Sequence, residues 1–280
     1  MIRPREDVAL MEGYHSPQMD VAVRLNTNES PDAPPPSWTS ELAEAVAAIE
    51  WNRYPDRAAS ALRAAIGRLH GVGPEQVFAA NGSNEVLQTL LLTYGGAGRT
   101  AVVWEPTYAL HSHIARLTGT AVAEGERSED FAVDLAEVAR LVGEARPSVA
   151  FLCSPNNPTG MVDDEATVRS VLDVVAGVDG LLVVDEASGQ FAPWSALGLV
   201  ADDVPLVVSR TFPKPWSMAA SRLGYLVAPA EIVTELEKVV LPYHLDAVKQ
   251  IAGCLALDHV AEMDARVTRL VRERERLVSR

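Results

Sequence analysis

Apolar positions in the middle of the chain come in short β-branched runs separated by stretches of helical texture. Residues 77–80, 101–104, 149–153, 181–184 and 206–208 are apolar at successive positions, the last two runs ending on Asp185 and Ser209. That is the pattern of strands covered on both faces, since a strand with one wet face alternates. Strands of this kind alternating with helices predict an α/β fold, a three-layer sandwich with a mostly parallel central sheet. Ligands of such sheets sit at the carboxyl ends of the strands, so chemistry is sought where these runs end.

The flanks read differently. The N-terminal stretch is polar and loop-like, and the proline-rich run 30–37 closes it before a helix for which Ser40 is the expected cap. A second helix places Leu62, Ala65, Ile66 and Leu69 on one face and ends at Gly71. After Pro229 the pattern is almost wholly helical, and residues 261–280 read as a long charged helix. The run Gly95-Gly96-Ala97-Gly98 follows a helix and precedes a strand, which makes it a turn. No internal repeat or low-complexity tract is present.

Composition narrows the function classes. With 280 residues, 48% hydrophobic and 22% charged, the chain has the makeup of a soluble globular enzyme. A net charge of −14 argues against a nucleic acid or an anionic membrane as partner. The first residues lack the apolar core of a signal peptide, so a cytoplasmic location is expected. Cys153 and Cys254 are too far apart for a zinc pair and read as small buried side chains. No metal site is expected: His111 and His113, two apart on a helix, point to different faces, and the other histidines are scattered.

Only three lysines occur, Lys214, Lys238 and Lys249. The latter two fall in helical segments and read as solvated, whereas Lys214 follows the run 206–209 and lies near a strand's carboxyl end. Asp185 ends Leu181-Leu182-Val183-Val184 on what is expected to be a neighbouring strand, a place from which a carboxylate can keep a pyridinium nitrogen protonated. The same run followed by Glu186 also suits the magnesium strand of a nucleotide hydrolase. That alternative needs a Gly-x-x-x-x-Gly-Lys-Ser/Thr loop, which no lysine here has. A phosphate site is legible where the run 77–80 passes through Asn81-Gly82-Ser83-Asn84-Glu85 into a helix. Arg222 can add a fixed positive charge there. In Ser154-Pro155-Asn156-Asn157-Pro158-Thr159-Gly160 an asparagine can donate to a ring oxygen, and Tyr108 can stack on an aromatic cofactor.

Taken together, these residues make the chain resemble the histidinol-phosphate aminotransferases of the fold-type-I pyridoxal-phosphate enzymes. The resemblance runs from Arg24-Leu25-Asn26-Thr27-Asn28-Glu29-Ser30-Pro31 through Asn52-Arg53-Tyr54-Pro55-Asp56, the Asn81 to Glu85 turn, Ser154 to Gly160 and Asp185-Glu186-Ala187, to Arg222-Leu223-Gly224-Tyr225. It implies pyridoxal 5′-phosphate as cofactor, carried covalently by Lys214, which then shuttles a proton. It further implies Asp185 on the pyridine nitrogen, Asn157 on the phenolic oxygen and Tyr108 over the ring. The phosphate is expected to meet Ser83, Asn84, Arg222 and Tyr54, the last from the other subunit of a homodimer. Tyr14 and Glu29 of the N-terminal arm are expected to close a pocket for an amino donor and a phosphorylated substrate. The implied domains are an arm and part of a small domain at 1–50, a cofactor-binding large domain at 51–245, and at 246–280 the helical start of a small domain left incomplete.

Three departures accompany the resemblance. Ser188 stands where the family has a tyrosine, Pro213 where it has the serine before the lysine, and the chain ends before the family's carboxyl-terminal small domain with its substrate-binding arginine. The first reading is amino-group transfer between glutamate and histidinol phosphate. The others are a related lyase of the threonine-phosphate decarboxylase kind, and a homologue that folds without catalysing.

Overall fold

The computed structural model describes residues 2–13, 16–17 and 19–279. Seven strands form one sheet: β1 (Val77–Ala80), β2 (Thr100–Glu105), β3 (Ala121–Glu126), β4 (Val149–Cys153), β5 (Leu181–Asp185), β6 (Leu206–Thr211) and β7 (Gly224–Val227). Their order is β1-β7-β6-β5-β4-β2-β3, with β3 through β6 parallel and β7 antiparallel to both β6 and β1. The expected runs are all strands. Two strands were not expected as such: β3, an edge strand whose alanines and glutamates leave it largely exposed, and β7.

The helices are α1 (Glu6–Ala9), α2 (Pro36–Ala47), α3 (Ser60–His70), α4 (Ser83–Tyr94), α5 (Leu110–Leu117), α6 (Leu135–Ala145), α7 (Glu165–Ala176), α8 (Ala230–Val239), α9 (Ala247–Leu257) and α10 (Val260–Val278). Gly71 ends α3 in the left-handed region, as expected. Ser40 does not cap α2, which begins at Pro36. Proline fits a first helical position because its missing N–H is unsatisfied there anyway, so the helix starts earlier than a serine cap would place it.

Because side chains alternate along a strand, each central strand feeds both faces. Phe151, Val183 and Val207 face Leu87, Leu90, Ile114 and Leu236 from α4, α5 and α8. Leu152, Val184 and Val208 face Val138, Leu141, Val168 and Leu172 from α6 and α7. A further core joins Leu62 and Ile66 of α3 to Trp38 of α2, Tyr225 and Val227 of β7, and Ala252, Ala256 and Met263 of α9 and α10. Each fully buried leucine or valine contributes about 1.5–3 kcal/mol, and Phe151→Ala is expected to cost about 3–5 kcal/mol. This rigid sheet fixes where the ends of β4, β5 and β6 stand.

Candidate active site

Register brings the first residues together. Asp185 pairs with Cys153 of β4 on one side and Ser209 of β6 on the other, at the carboxyl ends of three parallel strands. Two residues beyond Val183, its side chain emerges on the face that carries α4 and α5. There Asp185 Oδ2 accepts from His111 Nε2 at 3.0 Å, and Oδ1 accepts from Ser209 Oγ at 2.9 Å and the Ala187 N–H at 3.1 Å. His111 is fully buried and stacks on Phe151, ring centroids 4.7 Å apart. Burial alone pushes the Asp185 carboxyl up, but the His111 bond, Ser209 and nearby Lys214 outweigh it and hold the group below its ordinary value. It is therefore a carboxylate at neutral pH.

Lys214 follows β6 in the loop 212–221. Its Nζ donates to Ser188 Oγ at 3.1 Å, which places the amine beside the turn that leaves Asp185. The loop's backbone is held by distant segments: Arg266 Nη1 donates to the Pro215 carbonyl at 2.7 Å, and Ser217 Oγ donates to Ser30 Oγ at 2.9 Å. Pro213 offers neither an N–H nor a hydroxyl.

Next to these groups the turn from β1 into α4 opens as an anion cradle. Gly82 has φ of 84°, and a Cβ there would lie 3.1 Å from Arg222 Nη2, so the guanidinium reaches over the turn. Gly224 is needed for a different reason, since its Cβ would meet the Ser83 nitrogen at 2.4 Å. The N–H groups of Ser83 and Asn84 begin α4, where a helix leaves its donors unpaired and its dipole favours an anion. Tyr108 Oη donates to Asn84 Oδ1 at 3.1 Å and sits edge-on to His111. Asn156, not Asn157, fastens the neighbouring loop: it donates to the Pro106 carbonyl and to Thr159, each at 2.9 Å. Asn157 is half-buried beside it. Cys153, beneath Asp185, is buried and its thiol is pushed up to about 12 by desolvation and the nearby carboxylate, so it stays protonated.

Lys214, Asp185, Asn157, Tyr108, Arg222, Ser83 and Asn84 thus lie along one edge of the sheet. Tyr54 and Glu29 stand apart from them within this chain. Tyr54 is 81% exposed and stacks on Tyr243 at 4.6 Å, and Glu29 is an exposed partner of Arg24 at 4.0 Å. Tyr14 lies outside the described residues. Sequence reasoning missed three residues. His111 was set aside for lack of a histidine partner, although its place one helical turn past Tyr108 was a signal. Ser209 could have been found from register. Lys249, expected to be solvated, is largely covered and donates to Asn81 Oδ1 at 2.8 Å.

Residues 20–280 match the family model for aminotransferase class I and II. The chain belongs to this family. Among curated relatives, the histidinol-phosphate aminotransferase of Mycobacterium marinum is 42% identical to this aminotransferase, over 98% of this chain and 73% of the relative. The Streptomyces avermitilis protein of the same name is 44% identical, over 98% and 77%. The solved histidinol-phosphate aminotransferase of Sinorhizobium meliloti, in complex with pyridoxal 5′-phosphate, superposes with a TM-score of 0.89 at 21% identity, covering 99% of this chain and 77% of that one. This aminotransferase is accordingly a pyridoxal-phosphate-dependent transaminase. The residues present fit that cofactor: a glycine-opened cradle under an arginine for the phosphate, a buried carboxylate for the ring nitrogen, and an amine held on Ser188 near that carboxylate.

Proposed function

We propose that this aminotransferase moves an amino group between histidinol phosphate and 2-oxoglutarate, interconverting them with the imidazole ketone phosphate and glutamate, in histidine biosynthesis. The observation that carries the reading is the single sheet edge that gathers Asp185, Lys214 and the Gly82 cradle in a chain 42–44% identical to relatives of that name.

When bound, the cofactor supplies an electron sink for the substrate carbon that gives up its proton. Lys214 supplies the amine that attaches the cofactor and, once released, takes and returns that proton at Nζ. Ser188 holds the amine near Asp185 in the meantime. Asp185 stays ionised and keeps the ring nitrogen charged, with His111 and Ser209 fixing its direction. Asn157 donates to the phenolic oxygen, Tyr108 covers the ring, and Ser83, Asn84 and Arg222 bind the phosphate. Tyr54, exposed and stacked on Tyr243, reaches the phosphate of the second subunit in a homodimer. Tyr14 and Glu29 close the substrate pocket. The cofactor-binding domain spans 51–245, between an arm at 1–50 and the start of a small domain at 246–280. Acting on small anionic metabolites, the enzyme works in the cytoplasm.

Borohydride reduction after incubation with the cofactor tests the assignment. Mass analysis is expected to find the adduct on Lys214 and none in Lys214→Ala. An adduct on Lys238 or Lys249 instead sinks it. With glutamate and the imidazole ketone phosphate, amino transfer is expected; release of carbon dioxide from phosphothreonine would replace transamination with the lyase reading.

A further inference from the structure

The cradle sits in an unfavourable electrostatic setting. The chain carries a net charge of −14, and two carboxylates, Glu85 and Asp246, stand at the edge of the turn that would receive a dianion. Glu85, in the first turn of α4, accepts from both the Asn81 N–H at 2.5 Å and Asn81 Nδ2 at 2.7 Å. Asp246 caps α9 by accepting from the Lys249 N–H at 2.9 Å. Pro213, in the lysine loop, contributes no donor.

One cation joins Asp246 to the turn whose Asn81 is held by Glu85. Lys249 Nζ lies 2.9 Å from Asp246 Oδ2 and donates at 2.8 Å to Oδ1 of Asn81, the residue immediately before Gly82. Asn81 is thereby held by four bonds, since Nδ2 also donates to the His244 carbonyl at 2.9 Å. His244 itself is fixed by its ring nitrogen on the Ala79 carbonyl at 2.8 Å and by stacking on Phe78. A lysine from the start of α9 therefore sets both the shape and the charge of a turn on the opposite side of the sequence.

We propose that Lys249 is a positioning residue of the phosphate site: it orients the Asn81 turn so that the Ser83 and Asn84 N–H groups converge, and it offsets Glu85 and Asp246 so that a dianion is accepted there. The inference rests on reading the 82–84 turn as the cofactor's phosphate site. It makes Lys249 the second cation of that site, acting from behind the turn where Arg222 acts from above it.

The test compares binding of pyridoxal 5′-phosphate with that of pyridoxal, the same ring without the phosphate, by absorbance titration. In Lys249→Met the phosphorylated ligand is expected to bind about tenfold more weakly, the effect of one charge acting on a dianion across a neighbouring turn, with pyridoxal unchanged. Lys249→Arg keeps the charge and is expected to restore the preference. Asp246→Asn keeps a cap acceptor but removes a negative charge, and is expected to tighten the phosphorylated ligand about twofold, a direction that loss of structure does not produce. Equal weakening of both ligands in Lys249→Met, or no change in either, overturns the proposal. Arg222→Leu serves as the separate check: if neither it nor Lys249→Met alters a strong wild-type preference for the phosphorylated ligand, the cradle reading itself fails.

Discussion

The two walls that meet at the candidate site are built in opposite ways. Asp185, His111, Ser209 and Phe151 form one wall, all buried, each on a strand or a helix whose register is set by the core. Lys214 belongs to the other, a loop with prolines on both sides of the lysine, left-handed backbone at Ser217 and Arg222, and anchorage through side chains from Ser30 and Arg266. The first wall inherits its precision from the sheet. The second borrows it from segments far away in sequence, so the position of the amine depends on the N-terminal arm and α10 while the carboxylate's does not.

The largest effects are expected from the rigid wall. Asp185→Asn keeps the shape and removes the charge, and transaminase turnover is expected to fall by about a hundredfold to a thousandfold, read as kcat. A loss of only a few-fold would mean that the wall positions the cofactor without polarising it. His111→Ala strips a donor from a buried carboxylate and leaves a cavity against Phe151, and is expected to cost about 3 kcal/mol in urea unfolding. An equal cost for His113→Ala, on the less buried face of α5, would contradict the contrast between buried and exposed positions on that helix.

The same buried construction has a pH signature on the far side of β7. His70 Nε2 lies 2.7 Å from Tyr225 Oη, and desolvation, aided by the Arg210 charge, lowers the imidazole to about 4. In the unfolded chain the ring titrates at its ordinary value of 6.5. Above that pH both states are neutral and the group has no effect on stability. Between 6.5 and 4 the unfolded state binds the extra proton, so stability falls as pH falls, by about 2–3 kcal/mol across the window. Urea midpoints of His70→Gln are expected to lose that part of the slope, and an unchanged slope would place the acid sensitivity elsewhere.

The contrast also explains what was legible in sequence. The apolar runs ending at Cys153, Asp185 and Ser209 announced the parallel sheet, and a carboxylate at the end of such a run is conspicuous because the run around it is not polar. Lys214 and the Asn81 to Glu85 turn were found from residue type and place after a strand. His111 and Lys249 were not, because their roles come from packing: a histidine looks alike in sequence whether its ring meets solvent or Asp185. Ser40 misled for a related reason, since the earlier Pro36 already sufficed to start α2. The tethers of the lysine loop, Ser30 to Ser217 and Arg266 to Pro215, join positions that no local pattern connects.

Those tethers give the smallest and most discriminating expectation. Arg266 is nearly buried, donates to the carbonyls of Pro215 and Ala33, and lies beside Asp32, so it binds the arm, α10 and the lysine loop at one point. Arg266→Ala removes this without opening the sheet. The loss is expected to be felt locally: amide exchange in the segment 216–222 speeds up by about fivefold, equivalent to about 1 kcal/mol of easier local opening and the net value of such bonds, while the urea midpoint stays close to that of the parent protein. Amides of Val183, Val184 and Asp185 are expected to keep their protection, since their ladder partners on β4 and β6 are untouched. Equal acceleration in both places would show that the two walls form one cooperative unit, and the division between a register-built carboxylate and a tethered lysine would fall with it.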